Sequence, residues 1–184
     1  YLGRGTSKNF DEAIKWFQKA ADMGDDESLY DLANMYENGE GFETDTDKAI
    51  ELYTKAADMG YAQAQNRLAK FYQKGTHVKR NYQTAYDYAL KAANQGLADA
   101  QNKIAIFYQF GKGVVEVDMQ KAIDHYKKAA EQGSSKAQYN LGAMYFNGIG
   151  IKRDKDKAFA LFQKSADMGY KQAQHQMGAF YDFG

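Results

Sequence analysis

Histidine is the side chain here best suited to acid–base chemistry or metal binding near neutral pH, and the chain has three of them. His77, His125 and His175 lie far apart in the sequence and occupy three different positions of the repeat described below. The ligands of one metal ion must converge on a single point, so this arrangement does not favour a shared ion. We therefore predict packed or solvated histidines and no metal site.

The run Glu43–Asp47 alternates acidic and hydroxyl side chains and superficially resembles a calcium-binding loop. An EF-hand loop needs a Gly at its sixth position and a Glu at its twelfth, where this sequence has Lys48 and Thr54. Helix capping accounts better for the run. The Asp45 carboxylate can accept a hydrogen bond from a free amide of a first helical turn, and Asp47 adds a negative charge that is favourable there.

Motifs for nucleophilic catalysis and nucleotide binding are missing from the sequence. The chain has no cysteine, which excludes a disulfide, a thiolate metal site and a cysteine nucleophile. It has neither a Gly-x-Ser-x-Gly elbow nor a His-Glu-x-x-His sequence. The pairs Gly111-x-Gly113 and Gly148-x-Gly150 lack the third glycine and the preceding strand of a dinucleotide loop. We predict no catalytic residue and no cofactor, so the protein is not expected to be an enzyme.

Composition places the chain among folded proteins without membrane-spanning segments. Of its 184 residues 44% are apolar, 26% are charged and none is proline, which argues against a disordered linker. No stretch approaches the ~18 consecutive apolar residues of a spanning helix. Arg67, Lys70, Lys74 and Lys79–Arg80 form a local basic group, but most aromatic residues recur at repeated positions that packing explains. We expect neither membrane insertion nor a nucleic-acid partner.

The elements that must position any site are set by an internal repeat. The segment Ala20–Gly24 recurs with little change at 56–60, 92–96, 129–133 and 165–169. A second series of glycines follows the same period of 36 or 37 residues, at Gly3, Gly39, Gly75, Gly111, Gly148 and Gly184. Two glycine series per period predict two structural elements in each repeat.

Both elements of the repeat are predicted to be α-helices. In the first helix Ala64, Leu68, Phe71 and Tyr72 form one apolar stripe at helical spacing. The second helix begins in each repeat at a side chain able to cap it, at Asn9, Asp45, Asn81, Asp118 and Asp154. A glycine after the second helix supplies the left-handed residue that ends it. A two-helix unit cannot bury both its faces alone, so neighbouring units must stack into an α/α solenoid.

The sequence resembles the Sel-one-like repeat family, a tetratricopeptide-like subgroup. The best copy is Ala137–Gly150, with its Gly-x-Gly loop, continued by Asp154 and the run Lys157–Ala166. The resemblance implies an all-α fold: a right-handed α/α superhelical solenoid of two-helix repeats with a 36–37 residue period. Departures from the pattern are His77 for the loop's second glycine, Ala89 for an aromatic residue, and Ser28-Leu29 for Ala-Gln.

The repeat sets the expected domain organisation. We predict one repeat domain over residues 1–184 and a fragment of a longer array. The predicted repeats are 1–24 (partial), 25–60, 61–96, 97–133, 134–169 and 170–184 (partial).

For function, the resemblance implies a non-enzymatic adaptor or scaffold that binds a protein or peptide and is itself a monomer. Many bacterial members are exported, periplasmic or host-directed, but the sequence leaves the compartment undetermined. Two alternatives stay open. One is hydrolysis or sequestration of cell-wall fragments or β-lactams, as proposed for cysteine-rich relatives. The other is a structural spacer whose length matters rather than its groove.

Positions that repeat poorly are available for function, and the resemblance implies that first helices line the concave surface. Opposite their apolar stripe, the side chains change along the chain from acidic to basic to aromatic. Large apolar side chains there, among them Phe183, favour either an aromatic binding patch or packing against a neighbouring helix. The candidate partner-binding residues are Tyr30, Asn66, Lys70, Asn102, Ile106, Phe110, Tyr139, Asn140 and Phe146.

The net charge of zero hides an uneven distribution. Residues 1–60 hold six basic and fourteen acidic side chains, whereas residues 61–96 hold six basic and one acidic. The numbers are five of each in 97–133, and seven basic against four acidic in 134–184. Because sequence order is spatial order in a solenoid, we expect an acidic N-terminal end that could orient a polarised partner.

Overall fold

The computed structural model describes residues 9–183, without the Phe183 side chain. The described residues contain no strand and form ten α-helices of 13 residues each. Gly3 and Gly184 of the predicted glycine series lie outside the described residues, as does the side chain of Phe183. The helices are α1 Phe10–Asp22, α2 Asp26–Asn38, α3 Thr46–Asp58, α4 Ala62–Lys74, α5 Tyr82–Asn94, α6 Ala98–Phe110, α7 Met119–Glu131, α8 Ser135–Asn147, α9 Lys155–Asp167 and α10 Lys171–Phe183.

The predicted all-α solenoid of repeated helical pairs is confirmed. The described residues divide into two compact units, the first ending at Ala92 and the second beginning at Ala93. In the first unit α2 packs against α1 and α3, and α3 packs against α4. In the second unit α6 to α10 pack in the same sequential manner. Even-numbered helices are the first helices of their repeats, and odd-numbered helices are the second helices.

The second helices begin where the sequence predicts, each at a side-chain cap. The cap oxygen accepts a hydrogen bond from the backbone N–H three residues later, which satisfies one of the orphan donors of the first turn. The five capping distances lie between 2.8 and 3.2 Å, for Asn9, Asp45, Asn81, Asp118 and Asp154. Because these hydrogen bonds stabilise the ionised carboxylate, they lower the pKa of Asp118 and Asp154.

The second glycine of the loop between helices permits a close approach that no side chain would allow. Gly150 has φ 67°, and a Cβ there would lie 2.5 Å from the Cβ of Met119 in the first turn of α7. Gly41 has φ 77° and meets Phe10 of α1 in the same way, at 2.7 Å. The loop therefore packs directly on the start of the preceding second helix, because glycine supplies both the positive φ and the space.

A buried glutamine near the start of the first helix links it to the preceding second helix. The side-chain amides of Gln65, Gln101 and Gln138 donate to backbone carbonyls eight residues earlier, at 3.1, 2.6 and 3.3 Å. Each of these carbonyls lies near a helix C-terminus and also accepts a hydrogen bond from the N–H of the glycine that follows the helix, so the glutamine supplies a second bond to it. Leu29 occupies this position in α2, so the Ser28-Leu29 departure replaces a hydrogen bond with an apolar contact.

Candidate functional site

The candidate residues of the first unit differ in their access to solvent. Tyr30 on α2 is half-buried, with its ring centroid 5.5 Å from that of Tyr53 and 5.2 Å from that of Tyr61. On α4, Asn66 is half-buried and Lys70 is exposed. Of these three side chains, Lys70 therefore presents the most surface to a partner.

In the second unit, two candidate amides are bonded to each other. Asn140 Nδ2 on α8 donates to Asn102 Oδ1 on α6 at 3.0 Å, and Asn102 is 5% exposed. Ile106 packs against the core around Ile123 and Tyr126. Phe110, at the end of α6, is 57% exposed, and the Lys112 ammonium lies 5.5 Å from its ring centroid. This unit therefore offers one strongly exposed candidate aromatic residue.

Tyr139 and Phe146 on α8 are half-buried against the fully packed ring of Phe162 on α9. Their ring centroids lie 5.4 and 6.5 Å from that of Phe162. Phe146 also meets Phe180 edge to face, at 5.4 Å. Both residues thus contribute to a core cluster, and their binding of a partner stays a prediction.

In three repeats the buried aromatic residue of the second helix faces a first-helix residue that offers a hydrogen-bond acceptor only where the ring carries a hydroxyl. The Tyr53 hydroxyl lies 2.8 Å from Glu37 Oε2, and the Tyr126 hydroxyl donates to Gln109 Oε1 at 2.7 Å. Phe162 occupies the equivalent place in the next repeat and faces Phe146, which brings no acceptor. A buried hydroxyl needs a partner and a buried phenyl ring does not, which accounts for the match in these three repeats. The repeat 61–96 departs from it, because Gln73 and Ala89 occupy the two positions there. Sequence reasoning missed this match, although the paired substitutions are visible in the repeat.

The Glu37 carboxylate is the centre of a polar network between α2, α3 and α4. Arg67 Nε donates to Glu37 Oε2 at 2.8 Å, and a second guanidinium nitrogen of Arg67 pairs with Oε1. The Tyr53 hydroxyl also lies 2.7 Å from Asn34 Oδ1. Burial, followed by its hydrogen bond to Glu37, raises the pKa of Tyr53 far above its ordinary value, so the hydroxyl remains protonated. The Arg67 guanidinium lies over the ring of Phe71, 5.6 Å from its centroid.

Beside this network lies a cavity of about 270 Å³, which we call the α4 cavity. The sequence-predicted basic residues Arg67, Lys70 and Lys74 come together in its wall, whereas Asn66 is not part of it. With histidine neutral, the lining carries three positive charges and one negative charge. The α4 cavity is lined by Glu37, Thr46, Arg67, Lys70, Phe71, Lys74, Thr76 and His77.

Two of the residues that line the α4 cavity differ in type from their counterparts in other repeats. Thr46 is the first residue of α3, where α1 has Phe10 and α7 has Met119. His77 takes the place of the second loop glycine and adopts the left-handed conformation with φ 59°. The smaller Thr46 therefore leaves space where a larger side chain would pack, and the imidazole of His77 borders that space.

His125 is the most engaged of the three histidines in the described part of the chain. Its Nδ1 lies 2.5 Å from Gln101 Oε1, and its ring stacks on Tyr108 with centroids 5.7 Å apart. A carboxamide oxygen only accepts hydrogen bonds, so this contact assigns the proton to Nδ1. Burial lowers the pKa of His125, with a further contribution from Lys128. Within residues 9–183, no three His, Asp or Glu side chains are placed to hold a metal ion.

Comparison with models of known protein families identifies the family of this repeat. The model of the Sel1 repeat matches residues 1–25, 26–61, 62–97, 98–134 and 135–170. The chain belongs to the Sel1 repeat family. No curated protein matches the sequence significantly. Among the described helices, none has the length and apolar character needed to cross a membrane.

Three solved structures from bacteria are similar to this chain to different degrees. A Sel1 repeat protein from Oxalobacter formigenes is 34% identical with a TM-score of 0.89, covering 97% of this chain and 73% of its own. A protective antigen of uropathogenic Escherichia coli is 32% identical with a TM-score of 0.81, covering 98% of this chain and 38% of its own. Helicobacter pylori cysteine-rich protein B is 25% identical with a TM-score of 0.54, covering 73% of this chain and 97% of its own.

Proposed function

We propose that this Sel1 repeat chain is a non-enzymatic scaffold that binds a protein or a peptide through its first helices. Membership of a family whose members are commonly protein-interaction scaffolds supports the general role. The observation that carries the proposal for this chain is the α4 cavity, in which Lys70, Lys74 and His77 occupy positions that hold other residue types in the other repeats. A repeat that only extended the array would have no need of such a cavity.

The proposed binding surface includes the exposed side chains of the first helices. In the first unit it comprises Lys70 with its neighbour Asn66, and Tyr30 lies on the preceding first helix. In the second unit it comprises Phe110 and Ile106 on α6, together with the half-buried pair Tyr139 and Phe146 on α8. The amides of Asn102 and Asn140 would bond a partner's backbone only if the hydrogen bond between them rearranges.

Selection from a phage-displayed library of 12-residue peptides on the immobilised chain tests the proposal. Fluorescence anisotropy with the selected peptides then measures their affinity for the wild-type protein and for a Lys70→Ala/Lys74→Ala variant. A Lys155→Ala/Lys164→Ala variant is the matched control, because it removes the same charge from α9, a second helix. We expect the first variant to lose affinity and the control to keep it.

Two outcomes would contradict the proposal. Failure to select any peptide with measurable affinity would leave the chain as a spacer. Equal loss of affinity in both variants would show that the peptides respond to overall charge rather than to the first-helix surface.

A further inference from the structure

We infer that a cavity at the C-terminal ends of α1 and α3 binds the side chain of an arginine or a lysine from a protein partner. We call it the α1–α3 cavity, and its volume is about 500 Å³. Its lining comes mainly from second helices and includes none of the residues of the proposed first-helix surface, so the inference does not rest on the proposed function. The lining includes Asp22, Leu29, Lys48, Leu52, Asp58 and Met59.

The apolar part of the lining includes a departure from the repeat. Leu29 of α2 lines the cavity at a position where the later first helices carry a glutamine that donates to the carbonyl eight residues earlier. Ala21, whose carbonyl would accept that bond, lines the same cavity. Leu52 and Met59 add further apolar surface, and Met59 is 48% exposed. The α1–α3 cavity therefore offers apolar contact where other repeats hold a polar side chain.

Two carboxylates lie at this cavity without a basic partner. Asp22 and Asp58 are the last residues of α1 and α3, and both are exposed. Asp22 Oδ1 accepts a hydrogen bond from Gln18 Nε2 at 2.8 Å, and neither aspartate forms an ion pair with a described residue. Each carboxylate also lies beside the negative end of a helix dipole, where a cation is favoured.

The two lysines of the lining are engaged by a third carboxylate. Lys48 Nζ lies 2.9 Å from Glu51 Oε2, and Lys55 Nζ lies 2.8 Å from Glu51 Oε1. The hydrogen bonds from Lys55 and Lys48 lower the pKa of Glu51 to about 2, so its carboxylate stays ionised between them. Together with Asp22 and Asp58, three acidic and two basic side chains leave one negative charge. A single basic side chain would neutralise it.

Arginine and lysine match this lining because each joins a long apolar stem to a terminal cation. The stem can pack on Leu29, Leu52 and Met59 while the cation pairs with Asp22 or Asp58 at the helix ends. The volume of about 500 Å³ lies within the range of ~300–1,000 Å³ that is usual for ligand pockets, so it can hold a long side chain. An acidic side chain would meet like charges there, which oppose binding.

Anisotropy titrations at low salt test the inference with a fluorescein-labelled (Gly-Ser-Arg)4 peptide and with (Gly-Ser-citrulline)4, its uncharged isostere. We expect the arginine peptide to bind at least about fivefold more tightly, and we expect Asp22→Asn/Asp58→Asn to weaken it roughly five- to tenfold, as the loss of two surface charge pairs would do. The matched control is Asp11→Asn/Asp47→Asn, which removes the same charge from the first turns of the same two helices. It should change the affinity less than about twofold.

Met59→Gln tests the apolar part of the α1–α3 cavity. Glutamine occupies this position in two other repeats, at Gln95 and Gln132, so the change is compatible with the fold. Because the charge is unchanged, a loss of affinity of roughly two- to threefold would report the contact with the stem of the bound side chain. Circular dichroism melts of each variant confirm that the fold is intact.

Three outcomes would overturn the inference. Equal affinity for the arginine and citrulline peptides would show that no cation is recognised. Equal loss in the two aspartate variants would show attraction to overall charge, and unchanged affinity of Met59→Gln would show that the side chain does not enter the cavity. None of these results touches the first-helix proposal, which is tested separately by library-selected peptides and by Lys70→Ala/Lys74→Ala.

Discussion

Replacing Phe162 by Tyr, and Phe146 by Gln, transfers the Tyr126–Gln109 pair of one repeat into the next. Each single change should be destabilising. Phe162 is 2% exposed, so a hydroxyl added to its ring without a partner should cost about 1–3 kcal/mol of unfolding free energy. Phe146→Gln removes the ring contacts at 6.5 and 5.4 Å, and two such aromatic pairs are worth roughly 1–3 kcal/mol together.

The double variant should recover part of that loss. A hydrogen bond like the one between Tyr126 and Gln109, at 2.7 Å, would satisfy the new hydroxyl. The penalty of about 1–3 kcal/mol for the unsatisfied group then disappears. We expect a favourable coupling energy of about 1–3 kcal/mol between the two positions, which is the usual size for residues in direct contact.

Urea unfolding followed by far-UV circular dichroism measures the unfolding free energy of the wild type, the two single variants and the double variant. The slope of the transition must agree among the variants, because a changed slope would indicate altered cooperativity rather than altered stability. Repeat arrays can lose two-state behaviour, so tyrosine and tryptophan fluorescence should give a coincident transition. Additive effects within ~0.5 kcal/mol would refute the argument that the two positions are chemically matched.

Three further substitutions probe packing, titration and backbone strain. Gly142→Ala should destabilise the protein, because the new Cβ would lie 3.0 Å from the buried ring of Phe162. Gly178→Ala should stabilise it by about 0.5–1 kcal/mol, because a Cβ there meets no atom within 4 Å. Melting temperatures that shift in the same direction for both variants would contradict this. The stability contributed by neutral His125 is fully present above its unfolded pKa of ~6.5 and is lost as the pH falls towards its lowered folded pKa. The urea midpoint of the wild type should therefore decline between pH 7.5 and 5.5, and that of His125→Gln should decline less. Parallel declines of the two midpoints would be evidence against this role. His77→Gly should raise the unfolding free energy measured by urea titration by about 1 kcal/mol, because φ 59° strains a residue that has a Cβ. An unchanged urea midpoint would show that no strain is stored there.

Most of the fold could be predicted from the sequence because the interactions that define it are local. Asp45 accepts from an amide three residues away, and Gly148 ends α8 with φ 70° beside the helix that it closes. Signals of this range are written into consecutive residues and recur with the period. The buried Gln65 recurs as well, but its bond to the Ala57 carbonyl depends on how two helices cross, and the pattern alone did not indicate it.

The candidate site could be predicted only in part. Sequence alone placed Arg67, Lys70 and Lys74 on one helix face, since the spacing of residues along a helix fixes which of them are neighbours. It could not show the α4 cavity, because the space depends on a small residue at Thr46 facing a loop residue from the next repeat.

The contacts between helices also decided which of two predicted aromatic residues, Phe110 and Phe146, is exposed. Phe110 and Phe146 lie in the last turns of α6 and α8, one helical position apart in the repeat, and Phe110 is exposed while Phe146 packs on Phe162 and Phe180. Periodicity therefore determined which helices form and which faces they present. Exposure was decided by tertiary structure, because it depends on the side chains that other helices bring to the same place.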